Sequence, residues 1–340
     1  MSTSAVSAQN TVVAGVELGD PELAATVRNG LEQVEKLLVA ELSDGEEFLQ
    51  QAALHLAKAG GKRFRPLFTV LTGQFGPRPN DPHLITAATV VELVHLATLY
   101  HDDVMDEAPM RRGAQSVNSR WSNSVAILAG DYLFAHASRL TSTLGPDAVR
   151  VIAETFAELV TGQMRETMGA RDSEDPVEHY LRVVWEKTGS LIAACGRFGG
   201  TFTGADPESV ERLARLGDAV GTAFQISDDI IDISSASEQS GKTPGTDLRE
   251  GVHTLPVLYA LREEGAEGDR LRALLARPLR TDAEVDTALE LLSRSRGMLL
   301  AKEKLQSYAD LAHAELAALP QGPANEALES LVRYTIERVG

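Results

Sequence analysis

The chain has 340 residues, 43% hydrophobic and 24% charged, which is the composition of ordinary globular material. Lys+Arg total 32 against Asp+Glu 49, and the net charge of −17 argues against a nucleic-acid binder, because phosphate contacts need a basic face. The single cysteine, Cys195, excludes an intrachain disulfide or a Cys-rich zinc site and reads as a small buried apolar residue.

From the N-terminus, "MSTSAVSAQNTVVAGVELGD" has no basic n-region of a secretory signal, and no run reads as the ~18 apolar residues of a membrane span. The expectation is a cytoplasmic protein with a flexible segment over 1–18 and one all-helical domain over 19–340. Asp20 is placed as an N-cap with Pro21 at the first helical position. Leu23, Val27, Leu31, Val34 and Leu38 then recur at helical steps. The next helical run stops at Gly60-Gly61. The stretch 83–101, "HLITAATVVELVHLATLYH", is apolar nearly all round, as a central helix is. The run 213–227 has the same character. Thr281 and Glu284 form a capping box, and a last helix spans Pro323 to about Arg338. No alternating strand pattern stands out, so the fold class is all-α with ten or more helices.

Two of the apolar runs end alike, in "HDDVMDEAPMRRG" (101–113) and "FQISDDIID" (224–232). Asp102, Asp103 and Asp106, and again Asp228, Asp229 and Asp232, form Asp-Asp-x-x-Asp. On a helix the first and third members share a face, while Asp103 and Asp229 are rotated by about 100°. Carboxylates crowded at the end of an apolar helix repel one another, so a positive partner is required. A donor set dominated by carboxylate oxygens suits a hard cation, Mg²⁺ above all, which prefers a few carboxylates plus waters and substrate phosphates. One such motif is more often a solvated helix end; two copies favour a metal.

A phosphate ligand also needs cations. "GGKRFRPLF" (60–68) offers Lys62, Arg63 and Arg65, "MRRG" offers Arg111 and Arg112, and Lys187 and Lys242 follow later. Arginine's planar fork suits phosphate oxygens, and lysine adds a point charge. The "GKT" at 241–243 fails as a P-loop because Ala236 stands where a glycine is needed. His95 lies two turns before Asp102 on nearly the same face, a credible donor to a phosphate.

In order, "GGKRFRP", "HDDVMDEAPMRRG", "KTGSL", "FQISDDIID" and "GKTPGTDLREG" resemble the signature regions of trans-prenyl diphosphate synthases. The resemblance implies a single large helical bundle of the isoprenoid synthase type around a deep apolar cavity, usually as a homodimer. It implies condensation of isopentenyl diphosphate with an allylic diphosphate, using about three Mg²⁺ ions bound with the substrate. Asp102, Asp106 and Asp228 look like the main metal ligands, with Asp103, Asp229 and Asp232 assisting. Lys62, Arg65, His95 and Arg112 look like the isopentenyl diphosphate site. Arg111, Lys187 and Lys242 look like partners of the allylic diphosphate, with Thr188 and Gln225 beside the reacting carbons. The chain departs from the family at "GVHTLP" (251–256), where Val252 replaces a common basic residue.

The cyclase alternative, a class I terpene synthase, normally carries an Asn/Asp-Ser/Thr-Glu second motif and lacks "GGKRxRP". A noncatalytic subunit is expected to lose the aspartates that this chain keeps. Chain length is read from the helix before Asp102: Ala97 and Thr98 are small where short-chain members commonly place an aromatic, and Val94 continues the same face. At about 5.4 Å per open helical turn, the expected product is a trans-polyprenyl diphosphate of about thirty to fifty carbons that enters membranes, the alternative being about twenty carbons.

Overall fold

The computed structural model describes residues 11–44, 46–234 and 244–339. Its helices are, in order, α1 (Pro21–Leu42), α2 (Glu47–Lys58), α3 (Phe64–Thr72), α4 (Pro82–Met105), a single turn at Val117–Arg120, α5 (Asn123–Ser142), α6 (Pro146–Met168) and α7 (Pro176–Val184). A π turn, Trp185–Gly189, precedes α8 (Ser190–Thr203), α9 (Pro207–Ser234), α10 (Thr246–Glu250), α11 (Leu255–Ala260), α12 (Ala266–Leu274), α13 (Asp282–Arg294), α14 (Arg296–Ala317) and α15 (Pro323–Glu337). The all-α expectation holds.

The local signals work as physical chemistry dictates. The Asp20 carboxylate accepts the Leu23 N–H at 2.7 Å, with Pro21 opening α1. Thr281 and Glu284 form both halves of the capping box on α13. The α2 helix ends at Lys58, just before Gly60 turns to a φ of 95°.

Residues 1–18 were expected to be a flexible lead-in, and this is corrected from Thr11 onward. Val12–Val13 (β1) and Val16–Glu17 (β2) pair antiparallel around Ala14 and Gly15, both at positive φ. Val13, Val16 and Leu18 are buried, and β1 lies against α1. Three apolar side chains spaced for one face are enough to dock so short a segment. A second two-residue hairpin joins Met110–Arg111 (β3) to Ala114–Gln115 (β4).

The sequence reads as one domain, whereas the backbone divides into two compact units. The first comprises residues 1–157, 191–217 and 315–330. Within it α4 packs against α1, α3 and α5, burying Leu84, Ala87, Val90, Val91, Val94 and Ala97 completely or nearly so. Contrary to the expectation that no run could span a membrane, α4 is long and apolar enough to do so, the one such helix among the described residues. Two thirds of its apolar window is buried inside the fold, which makes it a core helix. The buried Tyr100 hydroxyl donates to the carbonyls of Ala52 (2.8 Å) and Ala53 (2.9 Å), which ties α2 to α4.

The second unit comprises 158–190, 218–314 and 331–340. Its core joins Ile226, Ile230 and Ile233 of α9 to Leu255 and Val257 of α11, Leu271 of α12, and Val285 and Leu292 of α13.

In the first unit α8 and α9 approach backbone to backbone. A Cβ on Gly196 would fall on the Leu213 carbonyl, and one on Gly217 on the Ile192 carbonyl. Gly196→Ala is therefore expected to destabilise the protein by about 1–3 kcal/mol through overpacking, despite alanine's better helix propensity. Chemical denaturation checks it; a gain in stability would contradict the close approach.

Candidate functional site

The first aspartate motif sits where α4 ends. Asp106 follows the last helical residue, yet its N–H still donates to the Asp102 carbonyl at 2.8 Å, so the four-residue relation is kept. Asp102 is half-buried and Asp106 exposed. Asp103 is fully buried and accepts the Arg111 Nε–H at 2.6 Å. Burial raises the Asp103 pKa, and the Arg111 charge opposes that shift. Its second oxygen, Oδ2, is buried with no hydrogen-bond donor.

The β3–β4 turn separates two adjacent arginines. Arg112 and Gly113 both have positive φ, 54° and 75°, as a two-residue hairpin turn requires. Arg111 returns to Asp103 and, at 3.9 Å, to Asp106. Arg112 instead donates to the Gly60 carbonyl at 2.6 Å. A Cβ on Gly61 would meet the Arg112 guanidinium at 2.9 Å. The Gly-Gly pair thus stops α2 and also leaves room for an arginine.

Of the cations in "GGKRFRP", Arg63 is consumed by the protein. It is bidentate to Glu35 (3.0 and 3.1 Å), and it also donates to Glu92 (2.8 Å) and the Ala57 carbonyl (2.7 Å). Lys62 is exposed. Arg65 has a buried Nε–H with no acceptor, and burial lowers its pKa. His95 is held well below the ordinary 6.5 by burial first, then by Arg65, Arg112, Arg111 and Arg63. It is a neutral imidazole at pH 7, able to donate one hydrogen bond without adding charge.

In the second unit Asp228, Asp229 and Asp232 meet three different partners. Asp228 pairs with the Arg338 guanidinium, which also donates to Ser227 Oγ (2.7 Å) and the Phe224 carbonyl (3.0 Å). Asp229 is buried, accepts from Tyr180 Oη, and accepts from Gln225 Nε2 at 3.0 Å. Burial pushes its pKa up to about 8, against the lowering effect of the Tyr180 hydrogen bond. Asp232 accepts the N–H groups of Thr246 (3.2 Å) and Asp247 (3.3 Å). Thr188 Oγ1 lies 3.5 Å from Gln225 Oε1, and Lys187 pairs with Glu166. Both Lys187 and Thr188 belong to the π turn, a geometry frequent at functional positions. Lys242 lies outside the described residues.

The positions read for chain length are Val94 and Ala97, both fully buried, and Thr98, half-buried with its hydroxyl on the His95 carbonyl at 2.9 Å. Ala97 lies where α4 meets α5: a Cβ on Gly130 would come within 3.1 Å of the Ala97 carbonyl.

The donor set fits a hard cation: carboxylates alone, one with a buried oxygen lacking a donor. Among the described residues no three His, Cys, Asp or Glu side chains converge as a ready-made cage. The buried Arg65 Nε–H, in turn, fits an anion.

Sequence reasoning missed Glu92, Tyr180 and Arg338. Glu92 had a signal, a lone acid in an otherwise apolar helix. It is 1% exposed, 2.8 Å from Arg63 and 3.7 Å from Arg112. Glu92→Gln takes the carboxylate from Arg112 and leaves Arg63 with Glu35 alone, so a loss of about 1–3 kcal/mol is expected. Denaturant melts check it; an unchanged midpoint would mean solvent already screens the pair.

Residues 46–292 match the Polyprenyl synthetase family. The chain is 62% identical over 330 residues to the nonaprenyl diphosphate synthase of Mycobacterium tuberculosis, covering 97% of this chain and 98% of that one. It is similar to the crystal structure of geranylgeranyl pyrophosphate synthase from Corynebacterium glutamicum complexed with calcium and isoprenyl diphosphate, at 56% identity and a TM-score of 0.88, covering 96% of this chain and all of that one. It is also similar to the polyprenyl synthase of Caulobacter crescentus with the same ligands, at 32% identity and a TM-score of 0.85 over 94% and 97% of the two chains. With its paired aspartate motifs, the chain belongs to the polyprenyl synthetase family and is an all-α prenyl diphosphate synthase.

Proposed function

We propose that this chain condenses isopentenyl diphosphate with an allylic diphosphate, with Mg²⁺, to make a trans-polyprenyl diphosphate of about thirty to fifty carbons. The observation that carries the site reading is complementary: Asp103 Oδ2 is buried without a donor and Arg65 Nε–H is buried without an acceptor. A cation supplies what the first lacks and a diphosphate what the second lacks. The similarity to a structure holding calcium and isoprenyl diphosphate supports the same ligand chemistry.

In this reading Asp102, Asp106 and Asp228 would hold the metal, with Asp103 and Asp232 supporting them. A Mg²⁺ held by these carboxylates would supply Lewis-acid stabilisation of the charge on the departing diphosphate. Arg65, Arg112, Lys62 and neutral His95 bind and orient the isopentenyl diphosphate. Lys187, Lys242 and Arg111 serve the allylic diphosphate. Arg111 must then share its charge with Asp103, and Asp228 must give up Arg338. The departing diphosphate is the base for proton loss.

The long product is supported by the 62% identity to a nonaprenyl diphosphate synthase and by small Ala97 and Thr98. A product of about twenty carbons is the second reading. The 56% identity to a geranylgeranyl pyrophosphate synthase favours it, as does the burial of Ala97 against α5, which leaves its small side chain serving helix packing. Sizing the products formed from labelled isopentenyl diphosphate and allylic starters decides between them. Wild type is expected to pass twenty carbons, and Ala97→Phe to shorten the product. A wild type that stops at twenty, or a variant of unchanged length, defeats the long-chain reading. Asp102→Ala and Asp228→Ala are expected to lose most turnover while staying folded; near-normal rates at saturating Mg²⁺ would count against the metal assignment.

The same reading makes the protein one catalytic domain over 19–340, a cytoplasmic homodimer whose product passes to membranes. Exposed apolar side chains support association: Leu128 on α5 is 59% exposed, and Met164 and Met168 on α6 are 59% and 77% exposed. Light scattering on the eluting peak should give twice the chain mass of 36.5 kDa, and a monomer would refute the dimer.

A further inference from the structure

We propose that Tyr180 is a positioning residue that, through Asp229, fixes the direction of the Gln225 amide beside Thr188. The inference rests on the proposed reaction, in which Gln225 and Thr188 lie beside the reacting carbons.

Four side chains from three elements form one hydrogen-bonded series in the second unit. Tyr180 Oη on α7 donates to Asp229 Oδ2. Asp229 Oδ1 accepts from Gln225 Nε2 at 3.0 Å, one helical turn earlier on α9. Gln225 Oε1 receives the Thr188 hydroxyl of the π turn at 3.5 Å. In these bonds Asp229 Oδ1 is the acceptor, so the Gln225 –NH₂ faces Asp229 and its carbonyl faces Thr188. Were Asp229 free to rotate, the amide could flip and present N–H where an oxygen is needed. Tyr180 prevents that by holding the other carboxylate oxygen.

This separates Asp229 from its neighbours in the motif. Asp228 is held by a guanidinium and Asp232 by backbone N–H groups, whereas both oxygens of Asp229 are engaged by neutral side-chain donors. In this proposal Asp229 acts by orienting Gln225 and not by ligating the metal. An oriented carbonyl and hydroxyl oxygen, placed before the reaction, stabilise an allylic cation as it forms; a flipped amide repels it.

Tyr180→Phe removes the donor and keeps the ring. We expect kcat to fall about ten- to a hundred-fold, with the KM for both diphosphates and the half-saturating Mg²⁺ within about twofold of wild type. Asp229→Asn should do the same, and the double variant should be no worse than the more damaged single one. Two measurements need no turnover. In ¹⁵N-glutamine-labelled protein the Gln225 side-chain amide signal should move in Tyr180→Phe while the melting temperature stays within a few degrees. Calorimetric titration of Mg²⁺ with inorganic diphosphate should be alike in wild type and both variants. An unmoved Gln225 signal, a normal kcat in Tyr180→Phe, or a tenfold loss of Mg²⁺ affinity in Asp229→Asn overturns the proposal. A wild type that makes no prenyl diphosphate while the amide signal still moves refutes the reaction and not the positioning.

Discussion

Charge held within or at the ends of buried helices must be balanced by opposite charge from elsewhere in the chain, and the candidate site is organised by that demand. Glu92 is the centre of it in the first unit. With 1% of its surface exposed, it faces Arg63 at 2.8 Å and Arg112 at 3.7 Å, and it opposes the burial that lowers the Arg65 pKa. Two unit charges about 4 Å apart at an effective dielectric of about 20 attract by roughly 4 kcal/mol, comparable to the cost of desolvating them. The cluster therefore adds little net stability. It sets geometry instead: with Arg63, Arg65 and Arg112 gathered there, burial first and then these charges and Arg111 depress His95.

The loops that carry these cations are held in conformations a free chain rarely adopts. Arg63 and Arg112 have φ of 48° and 54°, each costing about 1–2 kcal/mol for a residue with a Cβ. Strain of this kind persists only where surroundings over-determine it. Four hydrogen bonds to Glu35, Glu92 and Ala57 do so for Arg63, and the Gly60 carbonyl for Arg112. Tyr100, by anchoring α2 to α4, fixes where the Gly60–Arg65 loop starts relative to Glu92 and His95.

The second unit solves the same problem with different partners. Arg338, 110 residues from Asp228 along the chain, supplies the guanidinium, and neutral donors satisfy Asp229. Arg338 also stacks 4.2 Å over Phe224, so a planar cation is held on two sides. A lysine at 338 would keep the charge and lose the fork and the stacking.

Much of this was legible in the sequence. Helical period, the Asp20 cap, the Thr281–Glu284 box and the Gly60-Gly61 stop are local, because capping and periodicity depend on residues within a few positions of one another. The two Asp-Asp-x-x-Asp motifs were visible for the same reason, since four residues make one turn. The 11–18 hairpin escaped because two-residue strands carry no period and owe their order to burial against α1. The split between Arg111 and Arg112 was equally hidden: adjacent in the chain, they diverge because a turn at positive φ sends one to Asp103 and the other to Gly60. Glu92, Tyr180 and Arg338 are ordinary residues in ordinary helices until folding brings their partners 29, 49 and 110 positions away to within bonding distance. Sequence alone determined which residue types stand at the helix ends; only tertiary structure decided which charges meet, because Coulomb and hydrogen-bond energies depend on separation in space.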